Sequence, residues 1–126
     1  MPATVFDDSR FPIVVATAFG IPTSAEYEAF LAGLDGYLAR GRHAVILDAS
    51  KASPLPAVLR RRQAEWIVAR QALLTQFCAG FTVVIANPLI RGTITAINWL
   101  SPSSRPVKVV ATLAEGKAWS LARLAA

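Results

Sequence analysis

Few side chains in this sequence have a type and spacing that could do chemistry. The only histidine, His43, stands between Arg42 and Ala44 at the start of an apolar run. A general base needs a nucleophile beside it and a partner that orients it, and no motif supplies either. Cys78 is the only cysteine, so no intrachain disulfide is possible. It reads as a small buried residue rather than a reactive thiol. One His, one Cys and no clustered carboxylates make no metal set. No glycine-rich phosphate loop is present. The expectation is a non-enzyme with no metal and no cofactor.

The polar residues that remain suit recognition. Asp48, Ser50 and Ser53 follow the apolar run Ala44-Val45-Ile46-Leu47, and Arg60-Arg61-Arg62 stand a few residues further on. Asn87 and Thr112 follow two later apolar runs. In sheets with parallel strands, ligands often bind at the carboxyl ends of the strands, which is where these groups would gather. Asn87 and Thr112 also read as helix caps.

The elements that must position these residues come from periodicity and punctuation. Ala3 to Phe6 and Ile13 to Phe19 are β-rich, and Asp7-Asp8-Ser9-Arg10 between them is turn chemistry, so a hairpin is expected. Thr23-Ser24-Ala25-Glu26 is a capping box, and Tyr27, Phe30, Leu31, Leu34 and Leu38 continue it as a helix to about Arg40, with Gly41 as its stop. Ala44 to Leu47 has no polar interruption, the mark of a strand covered on both faces. A second helix is expected over about Leu55 to Phe77. A strand at Phe81 to Ala86 leads to a third helix after Asn87-Pro88, with Leu89, Ile90, Ile94, Ile97 and Leu100 as its stripe. A strand at Val107 to Ala111 and a capping box at Thr112 to Glu115 open the last helix, with Ala118, Trp119 and Ala122. The order ββαβαβαβα argues an α/β fold: one mixed, mainly parallel sheet with an N-terminal hairpin and four helices.

On helix two, Leu59, Trp66, Leu73 and Phe77 share a face, and Arg62, Gln63 and Arg70 fall on the same arc. Two readings stay open. The arginines lie along the apolar surface with their heads in water, or the arc meets a partner chain or an anionic ligand through Arg62 or Arg70. Trp99 falls opposite Ile90 and Ile97, either as a contact residue or tucked under the loop from Ser101 to Arg105.

Composition bounds the rest. A chain of 126 residues fits one domain. No stretch approaches the roughly 20 apolar residues of a membrane span, and Asp7 and Asp8 interrupt any signal-like run, so a cytoplasmic protein is expected. The net charge of +5 invites a nucleic-acid reading, but ten of the thirteen cations are scattered arginines and no nucleic-acid motif appears.

The pattern resembles the STAS/SpoIIAA-like family, the fold of bacterial anti-sigma-factor antagonists, which is similar to the lipid-binding lobe of CRAL-TRIO proteins. The residues that carry the likeness are Tyr37-Leu38-Ala39-Arg40-Gly41, Val45-Ile46-Leu47-Asp48, Arg62-Gln63-Ala64-Glu65-Trp66, Ile90-Arg91-Gly92, Asn98-Trp99-Leu100 and Ala118-Trp119. The resemblance implies a regulatory protein-interaction module in bacterial signalling, without catalysis. The alternative it implies is a carrier of a small anionic or lipid ligand. In the antagonists a serine at the start of helix two, in an Asp-Ser-Ser-Gly type context, is phosphorylated by a partner kinase. Here that region reads Asp48-Ala49-Ser50-Lys51-Ala52-Ser53-Pro54, which lacks the motif and leaves Ser50 and Ser53 as the only counterparts. A protein partner and a homodimer are both expected, and Asp48, Ser50, Ser53, Arg62, Arg70 and Trp99 are the candidate contacts.

Overall fold

The protein is described by a computed structural model over residues 3–92 and 105–126. Its centre is a five-stranded sheet in the order β1-β2-β3-β4-β5, which is also the order of the chain. The strands are β1 (Thr4–Arg10), β2 (Ile13–Gly20), β3 (His43–Ala52), β4 (Cys78–Val84) and β5 (Val107–Val110). β1 runs antiparallel to β2, and every other pair is parallel. The helices are α1 (Ser24–Arg40), α2 (Ala57–Ala69), α3 (Gln71–Phe77) and α4 (Leu113–Ala125); residues 88–92 are also helical.

Strand alternation sorts the side chains onto two faces. Ala16, Val45, Leu47, Phe81 and Val83 meet Tyr27, Phe30, Leu31, Leu34, Leu59, Trp66 and Leu74 from α1, α2 and α3. Ile46, Val84 and Val110 face the other way, with Ile13, Val15 and Leu113 packed against them. Ala44 and Ile46 are fully buried and Val45 is nearly so, which is why this run carries no polar residue. Trp66 is the largest fully buried side chain, and each such burial contributes roughly 1.5–3 kcal/mol.

The expected capping box at α1 forms. The Thr23 hydroxyl accepts from the Glu26 amide at 3.1 Å, and the Glu26 carboxylate accepts from the Thr23 amide at 2.8 Å. Gly41 ends the helix at φ 111°, a conformation that suits glycine.

Five expectations need correction. The hairpin does not turn at 7–10. β1 runs on to Arg10 through a bulge, pairing resumes at Arg10 and Ile13, and the chain reverses at Phe11-Pro12, whose peptide is cis. The polar stretch after Leu47 is not a free loop: β3 continues to Ala52, because β2 is long enough to pair Phe19 with Lys51 and Gly20 with Ala52.

Helix two is not continuous. It breaks at Arg70, at φ −114° and ψ 19°. Arg70 is held there by Asp35 of α1, and its guanidinium lies 4.9 Å from the Trp66 ring centroid. The break changes the helical phase, so Leu74 is buried and Leu73 is exposed. β4 then starts at Cys78, paired with His43, not at Phe81.

The C-terminal helix meets the sheet through Leu113, Gly116, Trp119 and Ser120, while Ala118 and Ala122 are exposed. Gly116 and Ser120 are its buried residues. A β-carbon on Gly116 would lie 3.2 Å from Thr82 and 3.3 Å from Ile46, so the helix backbone rests close to the strands. Its C-terminal end is tied down by Arg42, which donates to the carbonyl oxygens of Arg123 (2.9 Å) and Ala126 (3.3 Å), and by Arg123, which donates to that of Ala79 (3.2 Å).

Candidate functional site

Four parallel strands, β2 to β5, end on one rim of the sheet, and β2 and β3 reach furthest. Asp48 pairs with Val84, the last residue of β4, so the four residues after Asp48 project beyond β4. They are held against β2 alone, and the Ser53 amide donates to the Gly20 carbonyl at 3.1 Å. Within this extension the Oδ1 of Asp48 accepts from both the Ser50 amide (3.0 Å) and the Ser50 hydroxyl (2.6 Å). Asp7 and Ser9 make the same pair of bonds in β1, at 3.0 and 2.6 Å. Both Asp-x-Ser units sit at a register shift of their strand pair. The aspartate takes the amide that the shift withdraws from the ladder, a local competition that short polar side chains win. At Asp7 these bonds from Ser9 hold the carboxyl below its ordinary pKa.

Ser50 and Ser53 are therefore both exposed, but they differ. The Ser50 hydroxyl is engaged with Asp48, while Ser53 stands at the strand's end before Pro54. α2 opens at Pro56 without a side-chain cap and without an acidic residue in its first turn. Arg60 and Arg61 are exposed on its first turns and, among the described residues, neither has an ion-pair partner. Helix-start amides and unpaired cations together make this end of α2 positive.

Arg62 and Arg70 are placed differently. Arg62 donates through Nε to both carboxylate oxygens of Glu28 on α1, at 2.6 and 3.1 Å, and this bond raises its pKa. Arg70 grips Asp35 with two donors, one of them Nη2 at 2.9 Å. Both arginines of the polar arc thus bridge α2 to α1 within the chain. Asn87 caps the helical turn after it, its Oδ1 accepting from the Leu89 amide at 2.9 Å. Thr112 does the same for α4, accepting from the Glu115 amide at 3.2 Å. Trp99 lies outside the described residues.

His43 and Cys78 stand at the opposite end of the sheet, paired across β3 and β4. Nδ1 of His43 lies 2.8 Å from the Gly41 carbonyl oxygen; a carbonyl only accepts, so that nitrogen carries the proton. The ring packs against Phe11 and Tyr37, which also touch each other, and burial lowers its pKa. Burial also pushes the Cys78 thiol up. Among the described residues no group of three or more His, Cys, Asp or Glu is placed to hold a metal ion. No helix among them is long and apolar enough to cross a membrane.

One cluster has no counterpart in the sequence reading. Arg105, Tyr27 and Trp66 are buried in or beside the core under α1 and α2, with the Arg105 guanidinium 4.5 Å from the Phe81 ring centroid. Among the described residues the Tyr27 hydroxyl and the Trp66 indole N–H have no hydrogen-bond partner. Burial pushes the Tyr27 pKa up to about 12 and lowers that of Arg105. Arg105 follows Ser103-Ser104 and precedes Pro106, a setting that gives no periodic signal of burial, and Tyr27 and Trp66 read simply as core aromatics.

With this geometry in hand, comparison with solved structures is informative. An uncharacterized protein of the DUF3478 family from Shewanella loihica PV-4, described as having a SpoIIAA-like fold, superposes with a TM-score of 0.71 at 15% identity, over 94% of this chain and 92% of that one. The fold is SpoIIAA-like. An anti-sigma factor antagonist from Mycobacterium paratuberculosis superposes at 0.61 and 19% identity, with the same coverage of 94% and 92%. No family model matches the sequence, and no curated protein matches it. The mixed, mainly parallel α/β architecture is the one expected from the element order.

Proposed function

We propose that this chain is a non-enzymatic regulatory module that works through protein contacts in bacterial signalling. The observation that carries the reading is the projecting end of β3 with the start of α2: an exposed Ser53, a positive helix start, and Arg60 and Arg61 without an ion pair among the described residues, on a SpoIIAA-like scaffold. A phosphate on Ser53 would meet helix-start amides and two exposed guanidinium groups, a favourable place for added negative charge. The Ser50 hydroxyl, bound to Asp48, is the less available of the two. Arg62 and Arg70 would support the contact face by fixing α2 on α1.

The test is affinity capture from a bacterial lysate with the native chain, Ser53→Asp, and Arg60→Glu combined with Arg61→Glu. Mass spectrometry should identify a protein that the native chain retains and at least one variant loses, with circular dichroism unchanged. If every protein retained by the native chain is retained equally by both variants, this face is not the contact.

A carrier of a small anionic or lipid ligand is the second reading. It is favoured by the Tyr27 hydroxyl and the Trp66 indole N–H, two buried donors without an acceptor among the described residues. Buried donors of this kind ordinarily have a partner. Native mass spectrometry of freshly purified protein should then show an adduct that Tyr27→Phe weakens; a clean apo mass in the native chain counts against a carrier.

A further inference from the structure

β1 is an edge strand: it pairs with β2, and among the described residues no strand lies on its other side. The Phe19 amide donates to the Ala3 carbonyl at 2.8 Å. The alternation of an antiparallel pair then turns the backbone groups of Val5 toward β2 and those of Thr4 and Phe6 outward. That outer side can take another strand.

α1 lies along this edge. A β-carbon on Gly33 would stand 2.5 Å from the Phe6 ring. Further along, the Tyr37 hydroxyl and the Arg40 guanidinium both donate to Asp8, at 3.2 and 3.0 Å. At the other end the Glu26 carboxyl is held below its ordinary pKa by Thr23 first, and by the Ala3 amide as well. One flank of α1 is taken by Arg62 on Glu28 and by Arg70 on Asp35. The flank over β1 carries Glu26, Ala29, Gly33 and Arg40. It is low in the middle and oppositely charged at its ends, and Glu26 and Arg40 are equidistant from Gly33 along the helix.

We propose that a second copy of this chain docks on this edge, β1 pairing antiparallel with the partner's β1 about a two-fold axis at Phe6, and α1 packing antiparallel on the partner's α1 at Gly33. Charge selects the register. An axis at Asp7 or Asp8 would set like carboxylates directly opposite each other, which destabilises a strand pair. An axis at Phe6 sets Asp7 opposite the partner's Val5 and Asp8 opposite the partner's Thr4. Because Gly33 sits on Phe6, the same axis brings each Glu26 to the partner's Arg40, and two opposite-charge pairs close the ends of the helix contact. Arg40 can keep Asp8 as well, since a guanidinium has five donors, and Glu26 uses Oε1 in its cap and keeps Oε2. The contact is isologous, the self-complementary kind that closes as a dimer. It goes beyond the regulatory reading and does not depend on it, for it uses neither Ser53 nor the start of α2.

The experiment is sedimentation velocity of the full chain from low to high micromolar loading, beside Thr4→Pro, Ala29→Arg, Arg40→Glu, and Arg40→Glu combined with Glu26→Arg. Thr4→Pro removes an outward amide that β2 does not use, and Ala29 is exposed, so both should keep the native circular dichroism. The native chain should become dimeric as loading rises. Thr4→Pro and Ala29→Arg should each weaken association about tenfold or more, because every change counts twice across a two-fold axis. Arg40→Glu should weaken it too, and adding Glu26→Arg should restore it; the two positions are about 20 Å apart on one helix, too far to compensate within a chain. A native chain that stays monomeric throughout, native-like association by folded Thr4→Pro or Ala29→Arg, or no recovery in the folded charge swap would overturn the proposal.

Discussion

Trp119 of α4 covers Gly80 of β4 so closely that a β-carbon on the glycine would stand 2.7 Å from the indole ring. Arg123 Cγ would lie 3.2 Å from the same atom. The C-terminal helix therefore needs a strand residue without a side chain at that point. Gly80→Ala must displace either the ring or the strand, and overpacking of this kind costs typically 1–3 kcal/mol. Urea unfolding should show a lower midpoint with an unchanged slope. Combined with Trp119→Leu, the alanine should cost clearly less than alone, because the two residues share one space.

The two arginine bridges between α2 and α1 should differ in strength. The Arg62 and Glu28 side chains are 37% and 50% exposed, and such pairs contribute roughly 0–1 kcal/mol. Arg70 and Asp35 are less exposed, at 26% and 38%, and the guanidinium also lies over Trp66. Double-mutant cycles with alanine should give a coupling near ~1 kcal/mol for Arg70–Asp35 and a smaller one for Arg62–Glu28. Raising the salt concentration should shrink the Arg62 coupling more. Equal couplings would mean that the lower exposure of the Arg70–Asp35 pair adds nothing.

His43 should make the fold sensitive to mild acid. Burial holds its pKa in the folded chain below the 6.5 of an exposed imidazole, against the opposing pull of the Gly41 carbonyl. The unfolded chain therefore takes up the proton first, and stability falls as pH drops below about 6.5. The loss levels off only below the folded pKa. Asp8, Tyr37 and Arg40 surround the site: the Arg40 guanidinium is 3.0 Å from Asp8 and the Tyr37 hydroxyl 3.2 Å from the same carboxylate oxygen. The native urea midpoint should decline between pH 7 and pH 5 (a range chosen above most carboxylate titrations), and His43→Asn should flatten that decline. A slope identical in the two proteins would clear His43 of the effect.

Cys78 should be inert while the chain is folded. Its thiol is buried, its pKa is raised, and its sulfur lies 3.5 Å from the Gly80 carbonyl oxygen. Thiolate is the reactive form, so a thiol reagent should label the native protein far more slowly than the urea-unfolded chain. Fast labelling in the absence of denaturant would show that the β4 start opens readily.

Most local signals decided the outcome from the sequence alone; the turn chemistry at 7–10 did not, because β1 runs through it to Arg10. The Thr23–Glu26 box, the Gly41 stop, the Asn87 and Thr112 caps and the unbroken Ala44 to Leu47 strand each depend on residues a few positions apart, and all form at the places their chemistry dictates. The strand and helix order followed, and with it the mixed parallel sheet. Tertiary structure decided what depends on distant partners. The length of β3 came from the reach of β2, the break in helix two from Asp35 on another helix, and the close seat of α4 from Gly80 and Gly116. The burial of Arg105 beside Phe81 belongs with these, since no neighbour in the chain announces it. Hydrogen bonds within one turn are written in consecutive residues. Register, helix breaks and close approach are set by whichever surface arrives opposite, and that surface lies tens of residues away.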